Sequence, residues 1–298
     1  MKEAYKRQVS LLLSTLPEVA KSECFVLHGG TAINLFVQNM PRLSIDIDLT
    51  YKPIEDRERS INGIVIALTE IEDRIKRIMP NVITQLQQEK LKLQISHNGA
   101  RIKIEVNQII RGCISEPRNR TLCENAQVMF DAFCAIDVVP ESQLFGGKII
   151  AALDRQHPRD LFDIKHLLQS GSLNNESRIG FIFSLLSSNR PIYEVLNPNW
   201  TDQHQAFENQ FEGMSIDSFS YDEFEDTKDH LLQMINKMLR KQDKEFIKSI
   251  KRLEPDWSIH DFEKFPSIQW KLENLRRFKD NNRKGYEEAL RRLVSFLE

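Results

Sequence analysis

Two aspartates at Asp46 and Asp48 stand two residues apart in Ser44-Ile45-Asp46-Ile47-Asp48-Leu49. Ile45, Ile47 and Leu49 alternate with Ser44, Asp46 and Asp48 up to Tyr51, the pattern of a half-buried strand with carboxylates on its open face. At about 3.3 Å per residue, the two aspartate Cα atoms lie roughly 6.6 Å apart and their side chains point the same way. Without a cation such a pair repels itself. With one or two hard divalent ions it becomes the holder used in phosphoryl-type transfer, where metals fix the attacking and leaving oxygens in line. Mg²⁺, or Mn²⁺ in its place, suits this because it takes few protein carboxylates and completes its shell with substrate phosphates. Glu105, on the alternating stretch Arg101–Ile109, is a candidate third metal ligand; a surface pairing with Lys103 or Arg101 is the plainer alternative.

Gly29-Gly30-Thr31 falls between an apolar run, Cys24–Leu27, and a helical stretch, Ala32–Val37. Glycines there let the backbone approach a phosphate, and the helix start offers free N–H groups. Gly-Gly alone is a weak signal and could be a plain strand-helix turn. Gly-Gly, an Asp-x-Asp beginning fifteen residues beyond Thr31, and a later Glu on an alternating strand are together much stronger. Lys148 follows Gly146-Gly147 and precedes Arg155 by seven residues, so on a helix both face one way. Two cations so placed suit a triphosphate and its leaving pyrophosphate. Arg159 and Asp163, four apart, could alternatively form a helix-surface ion pair, and Asp160 could simply favour a helix dipole.

The elements that position these residues follow from periodicity. Residues 1–20 form an amphipathic helix, with Val9, Leu12, Leu13 and Leu16 on one side, and Arg57–Ile78 forms a second. Leu91–Ser96 and Arg101–Ile109 make a hairpin around Asn98-Gly99, and Ala135–Val139 is a further strand. From Pro140 onward the pattern turns helical: Glu141–Asp154, Pro158–Gln169, then about 177–187, 203–211, 221–242, 243–252 and 266–296 with a break near 280–282. The fold class is therefore an α/β (α+β) domain with a mixed sheet, residues 1–170, followed by an all-helical domain, residues 171–298.

Composition sets the outer limits. The chain has 298 residues, 41% hydrophobic and 28% charged, with a net charge of −2. That excludes an overall basic glove for nucleic acid, but the second half is polarised. Residues 202–229 hold nine acids and one Lys, 237–252 seven bases and two acids, and 271–292 eight bases and four acids. The two basic stretches are the candidate RNA-facing surface, with a solvated helix face as the alternative. Cys24, Cys113, Cys123 and Cys134 lack metal-ligand spacing and read as reduced thiols. The Leu11–Leu13 run is too short for a secretory signal and no stretch is long enough to span a bilayer, so a cytoplasmic protein without membrane contact is expected.

His28-Gly29-Gly30-Thr31-Ala32 with Arg42-Leu43-Ser44-Ile45-Asp46-Ile47-Asp48-Leu49 resembles the AbiEii/AbiGii toxin family of nucleotidyltransferases, within the polymerase-β-like superfamily. Phe145-Gly146-Gly147-Lys148-Ile149, Asp154-Arg155 and Arg159-Asp160-Leu161-Phe162-Asp163-Ile164 carry the second half of the likeness, which spans about residues 25–170. The resemblance implies an NTP-dependent nucleotidyltransferase with tRNA 3′ ends as the acceptor of some members, and an antitoxin encoded alongside. It implies metal on Asp46 and Asp48, phosphates near Gly30, Thr31 and Ser44, Lys148 on the triphosphate, and Asp163 as a further active-site carboxylate; Arg155 and Arg159 are further candidate nucleotide-binding residues. A monomer is expected. The alternative readings are nucleotidylylation of a protein or small molecule, and a non-catalytic NTP-binding regulatory module.

Overall fold

A computed structural model describes residues 1–298 and resolves two compact units: Met1–Pro140 with His204–Ser220, and Glu141–Gln203 with Tyr221–Glu298. In the first, β1 (Phe25–His28), β2 (Asp46–Tyr51), β3 (Ile83–Gln87), β4 (Lys92–His97), β5 (Ala100–Arg111), β6 (Arg118–Thr121) and β7 (Ala135–Val138) form one sheet in the order β3-β4-β5-β2-β1-β7-β6. The sheet is mixed, as expected: β2 runs parallel to β5 and β1 parallel to β7, while the remaining neighbours are antiparallel. Its apolar face is covered by α1 (Glu3–Ala20) and α3 (Arg57–Ile78). Leu12 and Leu16 of α1, Ile64 and Ile71 of α3, and Ile47, Leu49 and Ile104 of the central strands are fully buried. Asp56 starts α3 by accepting the Arg59 N–H, which satisfies one of the free donors at a helix start.

The Asn98-Gly99 turn is as its sequence requires. Asn98 (φ 48°) and Gly99 (φ 77°) both adopt left-handed conformations, and His97 pairs with Ala100 across the hairpin. The expected continuous helix after Thr31 is different in kind: a four-residue turn, α2 (Gly29–Ala32), opens into a π-helical turn over Ile33–Val37 closed by Gln38 N–H donating to Ile33 O at 2.8 Å. Two edge strands, β3 and β6, and the short α4 (Glu124–Phe130) add to the expected elements. The helix expected over about 203–211 also differs in kind: it is a single turn, α9 (His204–Ala206), and a π turn over Phe207–Phe211. The chain then lies along the segment before β2, with Leu43 N–H donating to Met214 O and Ile216 N–H to Pro41 O. Phe211 and Phe219 are buried there, as packing residues.

The second unit is helical: α5 (Glu141–Arg155), α6 (Pro158–Gln169), α7 (Asn175–Ser187), α8 (Ile192–Leu196), α10 (Tyr221–Met238), α11 (Lys241–Arg252), α12 (Pro266–Asn281) and α13 (Arg283–Leu297). The break between α10 and α11 comes at Leu239-Arg240, before the expected boundary, because the Asp243 carboxylate accepts the Arg240 N–H at 2.8 Å and caps α11. Helices α5 and α7 meet backbone to backbone: a Cβ on Gly146 would run into the Gly180 backbone, and one on Gly180 into Ser142. Gly146 thus has a packing reason that sequence alone does not reveal. All four cysteines are free thiols, and burial raises each of their pKa values. No helix is long and apolar enough to cross a membrane.

Candidate active site

In the first unit, β2 carries Asp46 and Asp48 out from a strand whose Ile47 and Leu49 are fully buried on the opposite face. The register sets Asp46 opposite Lys103 and Asp48 opposite Glu105 on β5, with His28 of β1 on the other side of Asp48. The four charged side chains therefore occupy one patch of sheet. Lys103 Nζ lies 2.8 Å from Glu105 and 3.9 Å from Asp46, and Lys92 Nζ lies 2.8 Å from the other Glu105 oxygen. Burial lowers the Lys103 pKa, but Glu105, Asp46 and Asp48 outweigh it and hold the ammonium above its ordinary range. Burial likewise pushes Glu105 up, and the hydrogen bonds from Lys103 and Lys92 outweigh it, so this carboxyl stays below its ordinary value. Glu105 is thus beside Asp48 and also in the lysine pairing that its surface reading anticipates.

Above Asp48 the backbone of Gly29 turns through φ +75°, and a Cβ there would collide with the Asp48 carboxylate. A Cβ on Gly30 would come to 2.9 Å from Arg42 Nη2 and 3.0 Å from Ser44 Oγ. The two glycines therefore keep an open approach to a carboxylate, a guanidinium and a hydroxyl. Thr31 is fully buried; its hydroxyl contacts Ser44 Oγ at 3.0 Å and donates to Asp46 O at 2.5 Å, tying the start of α2 to the start of β2. Asn34 Nδ2 donates to Gly30 O at 3.0 Å and His28 Nδ1 bonds Thr50 Oγ1 at 3.1 Å, which fixes the turn on both sides. Arg42, 3% exposed, is a residue that sequence reasoning did not single out. Its adjacency to Gly30 depends on the chain's return from α2 and has no local signature.

These residues fit a hard divalent cation. Asp46 and Asp48 supply oxygen donors from one strand face, the glycine approach leaves room beside Asp48, and Mg²⁺ needs only one or two protein carboxylates when phosphates supply the rest. No group of three or more His, Cys, Asp or Glu side chains is gathered for a metal.

The second unit gathers the other predicted residues. Lys148 on α5, 5% exposed, lies 2.8 Å from both Asp160 and Asp163 of α6, and Arg155 reaches Asp160 at 3.0 Å. Lys148 and Arg155 do face one way, as their spacing requires, but Lys148 meets two carboxylates there. Asp160 is a full partner in this cluster, beyond a helix-dipole role. Pro158 occupies the first helical position of α6, and His157 caps the helix, its Nδ1 accepting the Arg159 N–H at 3.1 Å.

A mixed sheet with a strand-borne aspartate pair beneath a glycine turn, joined in one chain to a helical unit, is the build of a nucleotidyltransferase. The family described as "Nucleotidyl transferase AbiEii toxin, Type IV TA system" matches residues 10–274, and the chain belongs to that family. It is thus a nucleotidyltransferase toxin of a type IV toxin–antitoxin system, a class that works on NTPs with a divalent metal and is countered by an antitoxin. Among solved structures the chain is similar to MenT4, a nucleotidyltransferase toxin from Mycobacterium tuberculosis H37Rv, with a TM-score of 0.62 over 92% of this chain and 95% of that one. Sequence identity is 13%, so the likeness is one of fold. No curated protein matches the sequence. Membership of an enzyme family sets aside the non-catalytic regulatory module.

Proposed function

We propose that the protein transfers a nucleotide from a metal-bound NTP to an RNA hydroxyl, with the 3′ end of tRNA as acceptor. The observation that carries this reading is the Asp46–Asp48 pair on one face of β2, with Gly29 and Gly30 opening the approach to it. When bound, a divalent cation neutralises charge on the triphosphate and on the departing pyrophosphate. Asp46 and Asp48 would hold it, with Glu105, engaged by Lys92 and Lys103, as the candidate third ligand. The Gly29-Gly30 backbone admits the phosphates, with Ser44 and Arg42 lining the approach. Thr31 supports the turn through its bonds to Ser44 and Asp46. On the helical unit, Lys148 spends two of its three N–H donors on Asp160 and Asp163. Asp163, fully buried against Lys148, orients that ammonium within the helical unit. The acceptor oxygen attacks the α-phosphorus, the bond to pyrophosphate breaks, and the acceptor's proton passes to solvent.

One observation favours a second acceptor class. The segment 204–220, packed beside Pro41–Leu43, presents Glu208, Glu212 and Asp217 at the surface of the unit that holds Asp46, which suits a small cationic acceptor. Incubating the protein with Mg²⁺, each α-³²P-labelled NTP in turn and either total tRNA or cell extract separates the readings. Label on tRNA supports the proposal; label on extract small molecules or protein, with none on tRNA, overturns the acceptor.

A further inference from the structure

Within the helical unit, α8, α11, α12 and α13 line a cavity of about 370 Å³, whose Lys251, Lys271 and Arg292 belong to the two basic stretches read above as an RNA-facing surface. A cavity of this size suits a small molecule rather than a water cluster. Its charge is unusual. Lys251 is 7% exposed, and its Nζ lies 5.1 Å from the Tyr286 ring centre and 5.6 Å from that of Phe278. It has no carboxylate partner, and burial alone lowers its pKa. Lys271, 8% exposed, donates to Ser188 O and Arg190 O at 2.5 and 2.8 Å, leaving one donor. Burial first, and then repulsion from Lys251, pushes its pKa down to about 8. Two ammonium groups thus share a poorly hydrated wall, Lys251 with no carboxylate partner, an arrangement that costs the fold stability and that a bound anion would relieve.

The same wall offers flat apolar surface. Trp270 is 41% exposed and Phe278 37%, and both line the cavity. Arg292 stacks over Tyr193 with 5.5 Å between guanidinium and ring centre. Two carboxylates line the rim: Glu194, engaged by Arg190 at 3.3 Å, and Glu288, which is exposed. Cations that bind phosphate next to exposed aromatic faces are the pairing by which proteins hold single nucleotides, the base stacking and the phosphate neutralised.

We infer that this cavity is a nucleotide-binding site, taking one nucleoside monophosphate unit with its phosphate at Lys251, Lys271 and Arg292 and its base against Trp270 and Phe278. The unit comes from a free nucleotide or from a nucleotide of a bound RNA strand. The site is independent of the aspartate pair and does not depend on metal.

Calorimetric titration in EDTA, with the full chain, tests it. The probes are the four ribonucleoside 5′-monophosphates, a single-stranded 12-nucleotide RNA, and inorganic phosphate. At least one nucleotide probe should bind 1:1, with affinity falling tenfold or more in Lys251→Met and in Trp270→Ala. Trp270 is surface-accessible, so its variant should keep the wild-type melting temperature and remain informative if Lys251→Met unfolds. Binding by monophosphates identifies free nucleotide as the source, and binding by RNA alone identifies the strand. No binding by any nucleotide probe, affinities unchanged in Trp270→Ala, or inorganic phosphate binding as tightly as the nucleotides would overturn the inference. Asp46→Asn should bind these probes like wild type, so failure here and failure of the transfer assay are separate results.

Discussion

Lys103 on β5 sits directly opposite Asp46 on β2, its ammonium 3.9 Å from the aspartate and 2.8 Å from Glu105. Without a metal it is the counter-ion of the carboxylate patch, which explains how two aspartates tolerate one strand face. A divalent cation arriving at Asp46 and Asp48 must compete with it. Replacing Lys103 by Met should therefore tighten Mn²⁺ binding in the absence of NTP several-fold, as about 1 kcal/mol of relieved repulsion implies. Weaker Mn²⁺ binding by Lys103→Met would mean that the lysine organises the ligands rather than competing for them.

Gly29 and Gly30 make different demands. Gly29 sits at φ +75° and a Cβ there strikes Asp48, whereas a Cβ on Gly30 meets only the ends of two side chains. Gly29→Ala should cost about 1–2 kcal/mol for the left-handed backbone alone, and displacing Asp48 should lower kcat at least tenfold. Gly30→Ala should be milder in both respects. Melting curves and turnover of the two variants check the order; equal effects would contradict it.

Lys148 is predicted to matter for folding as well as for activity. Its replacement by Met leaves Asp160 and Asp163 buried without their ammonium, and breaking such a pair costs roughly 3–5 kcal/mol. The second unit should then melt about 10 °C lower. A melting temperature within a degree of wild type would mean that the ion cluster contributes nothing to the fold.

Asp243 gives a pH prediction of definite sign. Burial pushes its carboxyl up, but His260 at 2.9 Å, the Arg240 N–H at 2.8 Å and Arg178 outweigh it and hold the pKa below the ordinary value. A carboxyl depressed in the folded state contributes stability that is fully present above its unfolded pKa of about 3.9 and is lost as pH falls through the folded value. Wild type should therefore exceed Asp243→Asn in urea-unfolding stability at pH 6, and the gap should close as pH falls below 4. A gap independent of pH would refute the assignment.

Much of this arrangement was legible in the residues. Asp46 and Asp48 stand out because Ile47 and Leu49 keep strict alternation on a central strand buried on its other face, and the Asn98-Gly99 turn announces its hairpin. The edge strands were not legible. Arg118–Thr121 contains no apolar residue, and Ile83–Gln87 exposes Ile83 by 72%, since an edge strand buries too little to show a period. The return of residues 213–216 to pair with Pro41–Leu43 rests on backbone hydrogen bonds between segments some 170 residues apart, as roughly any β-type pairing can. Lys148 stands out after Gly146-Gly147 as a candidate phosphate lysine, but its buried pairing with both Asp160 and Asp163 depends on how α5 and α6 pack, for which periodicity carries no signal.

The central claim is that Asp46 and Asp48 hold the metal for nucleotide transfer. The most direct measurement compares wild type with Asp46→Asn and Asp48→Asn for transfer of α-³²P-labelled nucleotide to tRNA across a Mg²⁺ titration, with melting temperatures in parallel. Each variant should remain folded and lose at least about 1,000-fold of the rate, in keeping with loss of a metal ligand that acts on the transition state. Transfer at the wild-type rate by either variant would contradict the account.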